Sequence, residues 1–488
     1  MEKSVAESGA DSNVFMDKMV QPSHEPSSCK KRRLCNCDWV SGLPDEILVS
    51  ILDKMDSKTA VSTSILSRRW RHLWRFLQSF YFSEPILPDN YCRVRIEQMV
   101  RCSNENRNQH FVESMRWFSR LKRETPLRRL NLMFSGSTEC TEVVNSAIAS
   151  AVDHGIEEVD MAVIENTMYE FPWWLFSSGS NPSLTTLCLS FCKLSVPLKF
   201  GGFSSLTKLA LIRMRMSLKE THLVLRCCRN LVTLHLIDVL AVRIIQLPKL
   251  KELILLWSLR LGEYRIDTPA LQRLEYCGEM LPASTFQSMP SLEHVSLQCM
   301  FDDYHECHAE RLENISTCFP YVRSLLLRYE IPKVVKPRTP AVFLSLKVLT
   351  LKITTKPSDN LLWMAMFLNA APYMETLRTT IRYLSHLDSH NGVVWDDVDF
   401  QHDSLKNVEM YNFMGRDNEI GLARLLLDRA PNLRCISFNQ APLKEEGDDH
   451  QLVPPTWPGA ETFVPRDGQF VLSKLFENVS SSSRVVFI

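Results

Sequence analysis

A leucine pattern that recurs along most of the chain constrains its fold more than any other feature. Its clearest copy is Leu184-x-x-Leu187-x-Leu189-x-x-Cys192-x-Leu194. From residue 184 to residue 292 successive copies start 22, 25, 19, 21 and 21 residues apart. One copy alone is compatible with an ordinary buried strand, but this many copies predict a repeat architecture. The other 12 candidates start at Leu127, Ile156, Leu206, Leu231, Leu250, Leu271, Leu292, Val322, Leu346, Met374, Leu405 and Leu433.

The spacing and the form of the motif are those of a leucine-rich repeat, in which each unit supplies one strand and one turn. A single unit cannot bury its own apolar face, so the units are expected to stack into a solenoid with a parallel sheet on its concave side. A proline suits the turn that feeds a strand. Prolines lie two residues before several of the copies, at Pro248, Pro269, Pro290, Pro320, Pro372 and Pro431.

The residues between the leucines are predicted to point away from the core, because side chains alternate along a strand. We expect these positions to contact a target. They carry no single charge sign, and the whole chain has 56 basic and 56 acidic residues, so a protein partner is favoured over nucleic acid. The candidate target contacts are Lys208, His235, Glu252, Arg273 and His294.

A helical pattern occupies roughly 40 residues from Asp38 onward, ahead of the repeats. Pro44 is placed at the first helical position, and Asp45 and Glu46 follow it in the first turn, where the helix dipole favours acids. Trp70 and Trp74 lie on one face of the last helix. A module of this size seldom hides so much apolar surface by itself. It is therefore either a docking surface for another protein or an ordinary helical subdomain that caps the repeats.

The residues of this module carry a specific resemblance. The sequence reads DWVSGLPDEIL at 38–48, IL at 51–52 and KTAVSTSILSRRWRHLW at 58–74. It resembles the F-box of plant proteins over nearly its whole length. One departure is Met55-Asp56-Ser57, where many relatives carry Leu-Pro-Thr.

The resemblance implies that the module binds a Skp-type adaptor, which sits on a cullin with a RING subunit and a ubiquitin-conjugating enzyme. Trp70 and Trp74 are the expected anchors, since buried tryptophans dominate interface energetics. Adaptor contacts and their supporting core cannot be separated by sequence. Together they are Leu43, Pro44, Ile47, Leu48, Ile51, Leu52, Val61, Leu66, Trp70, Leu73 and Trp74.

The predicted fold class is α/β: an N-terminal three-helix F-box followed by an irregular leucine-rich-repeat solenoid with a parallel sheet on the concave face. Residues 405–433 resemble the FBD-type ending of many plant F-box proteins and are predicted to form strand, loop, helix and strand. The expected boundaries are a disordered tail at 1–36, the F-box at 37–78, a connecting helical region at 79–125, repeats at 126–400, an FBD-like cap at 401–440, and an irregular segment with a C-terminal element at 441–488.

The expected function is that of a substrate-recognition subunit of a Skp-cullin-F-box ubiquitin ligase. An enzyme is disfavoured because no phosphate-binding loop, dinucleotide motif, zinc-protease motif or serine nucleophile motif occurs. No cofactor and no metal are expected, since the cysteines lack paired Cys-x-x-Cys spacing. A repeat scaffold that does not promote ubiquitination is the alternative.

The chain is expected to be intracellular, in the nucleus, the cytoplasm or both, with no membrane partner. The cluster Lys30-Lys31-Arg32-Arg33 is read either as a nuclear-import signal or as solvated charge in a polar tail.

Overall fold

The computed structural model describes a chain that divides into two compact units, residues 1–209 with 213–215, and residues 210–212 with 216–488. The described residues are 40, 42–83, 105–121, 125–163, 169–177, 183–239, 242–258, 265–278, 283–286, 289–299, 308–330, 342–356, 359–383, 401–441, 443, 467–477 and 483–488. The predicted tail at 1–36, with its basic cluster, lies outside them, as does most of the segment 441–466.

Both units contain helices and strands, and several strands, such as β6 to β11, follow one another with no α-helix between them in the described part of the chain. The α-helices are α1 Asp45–Leu52, α2 Ser57–Ser62, α3 Trp70–Leu73, α4 Glu105–Arg120, α5 Thr138–Asp153, α6 Leu218–Cys227, α7 His308–Cys318, α8 Ala365–Ala370, α9 Asp417–Arg429 and α10 Gly468–Leu475. The strands are β1 Ser79–Ser83, β2 Arg129–Phe134, β3 Glu158–Val163, β4 Thr186–Ser190, β5 Lys208–Ile212, β6 Thr233–Ile237, β7 Ile244–Gln246, β8 Glu252–Leu256, β9 Arg265–Asp267, β10 Arg273–Gly278, β11 His294–Cys299, β12 Ser324–Glu330, β13 Val348–Thr355, β14 Thr376–Tyr383, β15 Asn407–Tyr411, β16 Cys435–Asn439 and β17 Arg484–Phe487.

The predicted repeats are confirmed. Each of the 13 candidate copies is followed, two residues after its first apolar position, by the start of a strand. In the first unit β1 to β4 pair in parallel and in chain order. In the second unit β6, β8 and β10 to β17 do the same, while β7 and β9 form a separate pair. The fold is the predicted α/β class, with helices at the N-terminal module and a leucine-rich-repeat sheet.

The leucines of the motif form the core because they occupy one side of each strand. Leu187, Leu234, Leu253 and Leu274 are buried at equivalent positions. The prolines ahead of the repeats lie in turns, as predicted. Pro320 and Pro372 are the second residues of turns closed by the backbone bonds from Val322 to Phe319 and from Met374 to Ala371. Proline has the φ angle that this turn position requires.

The strand β1 lies in the region predicted as a helical connection. Its residues pair in register with β2, from Ser79 opposite Arg129 to Ser83 opposite Met133. The five-residue stretch lacks the leucine motif, and it is stabilised instead by the burial of Phe80 and Phe82 against Phe118 of α4. The repeat sheet therefore begins directly after the helical module.

The FBD-like stretch forms the predicted strand, loop, helix and strand, and a buried carboxylate lies at the start of α9. Glu419 is buried, and its Oε2 accepts the backbone N–H groups of Met414 at 3.0 Å and Arg416 at 2.9 Å. Burial raises the pKa of the Glu419 carboxyl to about 7, although those two backbone bonds and the Arg416 charge oppose the rise. The folded chain therefore takes up a proton at Glu419 that the unfolded chain releases near pH 4.3.

We expect the Glu419 contribution to stability to be fully present below about pH 4.3 and to be lost as the pH rises through about 7. Glu419→Gln keeps an oxygen acceptor for the two N–H groups but does not ionise. Relative to the wild type, this variant should gain free energy of unfolding between pH 5 and pH 8, by on the order of 3 kcal/mol at most. Urea unfolding at both pH values measures the difference. An equal wild-type-to-variant gap at the two pH values would contradict the prediction.

Candidate functional site

The helical module is a set of short helices fastened to one another by specific side chains. The carboxylate of Asp56 accepts the N–H of Thr59 at 2.9 Å and caps α2. Arg69, which precedes α3, pairs with Asp45 of α1 at 2.6 Å and also donates to the backbone carbonyl of Leu43. Pro44 is the residue before the helix and α1 begins at Asp45, one residue later than predicted. These bonds hold the start of α1 against the start of α3.

Six of the eleven predicted adaptor residues are buried within the chain, and both tryptophans are among them. Trp70 is 8% exposed and Trp74 is 6% exposed. The ring of Trp74 lies 5.4 Å from that of Trp117 on α4, and its indole N–H donates to the carbonyl of Arg71 at 2.9 Å. Burial of both rings favours a supporting role inside the first unit, and their predicted role as anchors for a partner stays a prediction. The buried six are Leu48, Leu52, Val61, Trp70, Leu73 and Trp74.

The other predicted residues remain accessible. Pro44, Ile47, Ile51 and Leu66 are exposed, and Leu43 is half-buried. Ile65, at 65% exposed, was not in the predicted set, although its place beside Leu66 in a turn after α2 was a usable signal. We call Ile47, Ile51, Ile65 and Leu66 the apolar surface of the module. Four exposed aliphatic side chains in a module of this size are typical of a protein-binding surface.

The module is joined to the repeat sheet by hydrogen bonds as well as by the chain. Asp53, just after α1, accepts the backbone N–H groups of Gln78 at 3.0 Å and Ser79 at 3.1 Å. The hydroxyl of the buried Ser57 accepts the N–H of Tyr81 at 2.7 Å. Ser79 and Tyr81 belong to β1 and Gln78 directly precedes it, and these N–H groups do not serve the pairing with β2. The module thus satisfies the free edge of the first strand, which would otherwise be open to pairing with another chain.

Four of the five predicted target contacts are the first residues of their strands, whereas His235 is the third residue of β6 and lies in register with Ile254 of β8. Glu252, Arg273 and His294 are neighbours in register on β8, β10 and β11. Arg273 and His294 are exposed, as is Lys208 on β5, while Glu252 is half-buried.

His235 is only 4% exposed, so the structure does not offer it as a target contact. The outward residues beside it on β8, Ile254 and Leu256, are buried as well. Burial does not alternate along β6 and β8, where every residue after the first is buried.

Neither a metal centre nor a membrane segment is found where the structure describes the chain. Among the described side chains, no three His, Cys, Asp or Glu residues are arranged to hold a metal ion. Within the same ranges, no helix combines the length and apolar character needed to cross a bilayer.

Comparisons with known proteins match both parts of the chain. A family model described as "At1g61320/AtMIF1, LRR domain" matches residues 122–452, and one described as "F-box domain" matches residues 40–81. The F-box/FBD/LRR-repeat protein At2g04230 of Arabidopsis thaliana is 26% identical over 440 residues, which cover 83% of this chain and 89% of that protein.

Two further similarities are more limited. The F-box/FBD/LRR-repeat protein At1g80470 of the same plant is 26% identical over 170 residues, which cover 34% of this chain and 32% of that protein. A crystal structure of an internalin from Listeria monocytogenes has a TM-score of 0.30 at 11% identity, covering 70% of this chain and 82% of that one.

Proposed function

Because this chain belongs to the family described as At1g61320/AtMIF1, LRR domain, and carries an F-box domain ahead of its repeats, we propose that it is the substrate-recognition subunit of a Skp-cullin-F-box ubiquitin ligase. An F-box domain in general binds a Skp-type adaptor. Proteins that combine an F-box with leucine-rich repeats are generally non-catalytic adaptors. The chain would then hold its target while the cullin, the RING subunit and the conjugating enzyme carry out ubiquitin transfer.

The observation that carries this proposal is the apolar surface of the F-box module. Ile47 and Ile51 lie one turn apart on α1, and Ile65 and Leu66 follow α2, all exposed to water. A Skp-type adaptor would bury these side chains. Trp70 and Trp74 would stabilise the packing of the helices that carry them. The buried set of six residues is therefore proposed as support, and Leu43, Pro44 and the apolar surface as the contact.

The bonds from Asp53 and Ser57 to β1 support a role in positioning. A receptor raises the rate of ubiquitin transfer by holding its target near the charged conjugating enzyme, which is a gain in effective concentration. A module tied to the first strand by three hydrogen bonds transmits its orientation to the first repeats. The chain needs no catalytic group of its own for this task.

The proposal is tested by reconstitution of the full chain with a plant Skp-type adaptor, a cullin, a RING subunit, activating and conjugating enzymes, and ubiquitin. We expect co-purification of the adaptor and ubiquitin transfer that depends on this chain, including transfer to its own lysines. A variant that lacks residues 38–78 should lose both. Adaptor binding without any ubiquitin transfer would favour the alternative of a scaffold that is not coupled to ubiquitination. If the folded chain did not bind the adaptor, the proposed role in a ubiquitin ligase would be wrong.

Target capture is proposed for the outward face of the second unit, at Glu252, Arg273 and His294. We expect Glu252→Lys, Arg273→Glu and His294→Glu together to reduce recovery of ubiquitinated targets several-fold, because three charges change on neighbouring strands. Melting temperature and adaptor binding should stay nearly constant, since these side chains lie outside the core. Comparative proteomics of wild-type and triple-variant cells provides the readout. Unchanged target recovery would move the capture site elsewhere on the chain.

A further inference from the structure

The same four-residue turn precedes many strands of the second unit. In two of these turns the third residue is a tyrosine, unlike in the others. In each such turn the N–H of the first apolar residue of the repeat donates to the carbonyl three residues earlier. Five of these turns carry a short or polar residue at the third position, whereas the turns before β12 and β14 carry a tyrosine. The five are Asn230, Lys249, Ala270, Ser291 and Asn432.

The two tyrosines are exposed, and a leucine of the repeat between them is exposed beside them. Tyr321 is 76%, Leu344 59% and Tyr373 53% accessible to solvent. They precede β12, β13 and β14, which are neighbours paired in register. We call these three residues the tyrosine patch. The repeat turn does not need large apolar side chains here, because the other turns form without them, so their exposure points to a partner.

A mainly positive row lies between the tyrosine patch and the strands. It comprises the residues immediately before β12 to β16, linked by backbone hydrogen bonds of 2.8 to 2.9 Å. Four are cations, and the single carboxylate, Glu375, pairs with Lys347 at 3.0 Å and with Lys406 at 2.7 Å. Glu293, the residue before β11, borders the row at its Arg323 end, and its carboxylate lies 3.9 Å from the Arg323 guanidinium. The row is Arg323, Lys347, Glu375, Lys406 and Arg434.

The spacing of the patch fits one face of a helix. Neighbouring strands lie about 4.8 Å apart, so the first and third members of the patch are separated by about 10 Å along the repeat direction. Residues i and i+7 of an α-helix are separated by about 10.5 Å, with i+3 or i+4 between them on the same face. Cations beside the patch complement acidic residues beside such an apolar stripe.

We propose that the tyrosine patch is a docking site for a short amphipathic helix of a partner protein. The apolar stripe of this helix would lie across the three repeats, and its acidic residues would face Arg323 and Lys347. The partner would be recognised as in helix-in-groove complexes, through the apolar face of an amphipathic helix. Here that face would contact the turns of three neighbouring repeats. The inference does not rest on adaptor binding or on ubiquitin transfer, because no residue of the F-box module takes part.

Two displayed libraries of 14-residue helical peptides test the proposal on the full chain. Both carry leucine at positions i, i+4 and i+7; one has glutamate and the other lysine at the flanking positions. We expect the glutamate library to be enriched at least tenfold over the lysine library. The double variant Tyr321→Ser/Tyr373→Ser should lose this enrichment at least tenfold. Leu198→Ser, a change at an exposed leucine of the first unit, is the matched control and should retain it.

Charge reversal in the positive row provides a second test, which leaves the tyrosine patch unchanged. Arg323→Glu/Lys347→Glu should shift the preference from the glutamate library to the lysine library. Absence of enrichment on the wild type, equal enrichment of both libraries, or enrichment that survives the tyrosine double variant would overturn the proposal. Binding of a labelled single-stranded oligonucleotide that is lost in the tyrosine double variant would also overturn it, since the patch would then serve nucleic acid.

Discussion

Replacing Ile51 and Leu66 together by glutamate is expected to lower the affinity for a Skp-type adaptor by about a thousandfold. The two side chains are 42% and 66% exposed, so neither belongs to the buried core of the module. In the complex each would be an apolar anchor whose loss costs about 2 kcal/mol or more. Two such losses give about 4 kcal/mol, which corresponds to the stated factor. Calorimetric titration of the adaptor into the purified chain measures it.

Two controls separate this surface effect from loss of structure. Leu198→Glu introduces the same charge at an exposed leucine of the repeats and should leave adaptor affinity unchanged. Trp74→Ala removes a ring packed on Trp117 and should lower the melting temperature, since such truncations cost about 3 to 5 kcal/mol. Its folded fraction should still bind the adaptor. Wild-type affinity in the Ile51/Leu66 double variant, or a loss of binding by folded Trp74→Ala greater than that of the double variant, would reverse the assignment of surface and core.

Leu187→Ala is expected to destabilise the first unit by about 2 to 5 kcal/mol. Leu187 is fully buried on β4, where it pairs in register with Val159 of β3. Truncation removes apolar contacts and leaves a cavity between neighbouring repeats, which the surrounding leucines fill only in part. Stacked repeats contact only their neighbours, so the loss is concentrated at one place in the sheet. Urea unfolding monitored by circular dichroism gives the change in free energy.

The matched substitution for Leu187→Ala is Thr186→Ala on the same strand, where the side chain is only half-buried. It should change the free energy of unfolding by less than about 1 kcal/mol, as is usual for surface substitutions. If the two variants unfolded at the same urea concentration, the inward direction assigned to the motif leucines would be wrong. Both variants should keep adaptor affinity, because neither residue belongs to the F-box module.

The repeat strands were predictable because each is encoded by a short sequence motif that recurs along the chain. An apolar residue at the first motif position recurs with a buried aliphatic residue three residues later, and from Leu127 to Leu433 the strand starts at a constant offset. The strand β1 was not predictable in this way. It consists of two phenylalanines in a five-residue stretch, and it is a strand because β2 and the F-box module supply partners for its backbone.

The sequence by itself determined the F-box module, the periodic leucine core and the start of each repeat strand, since these depend on residue type at fixed spacing. Only the tertiary structure decided which apolar residues are free to bind. Ile51 and Leu52 are adjacent aliphatic residues on one helix, yet the first is exposed and the second buried. Trp74 is hidden because Trp117, 43 residues further along the chain, packs against it, and His235 is buried although it was predicted to contact a target. Exposure depends on contacts between segments that are distant in sequence, and no local pattern encodes those contacts.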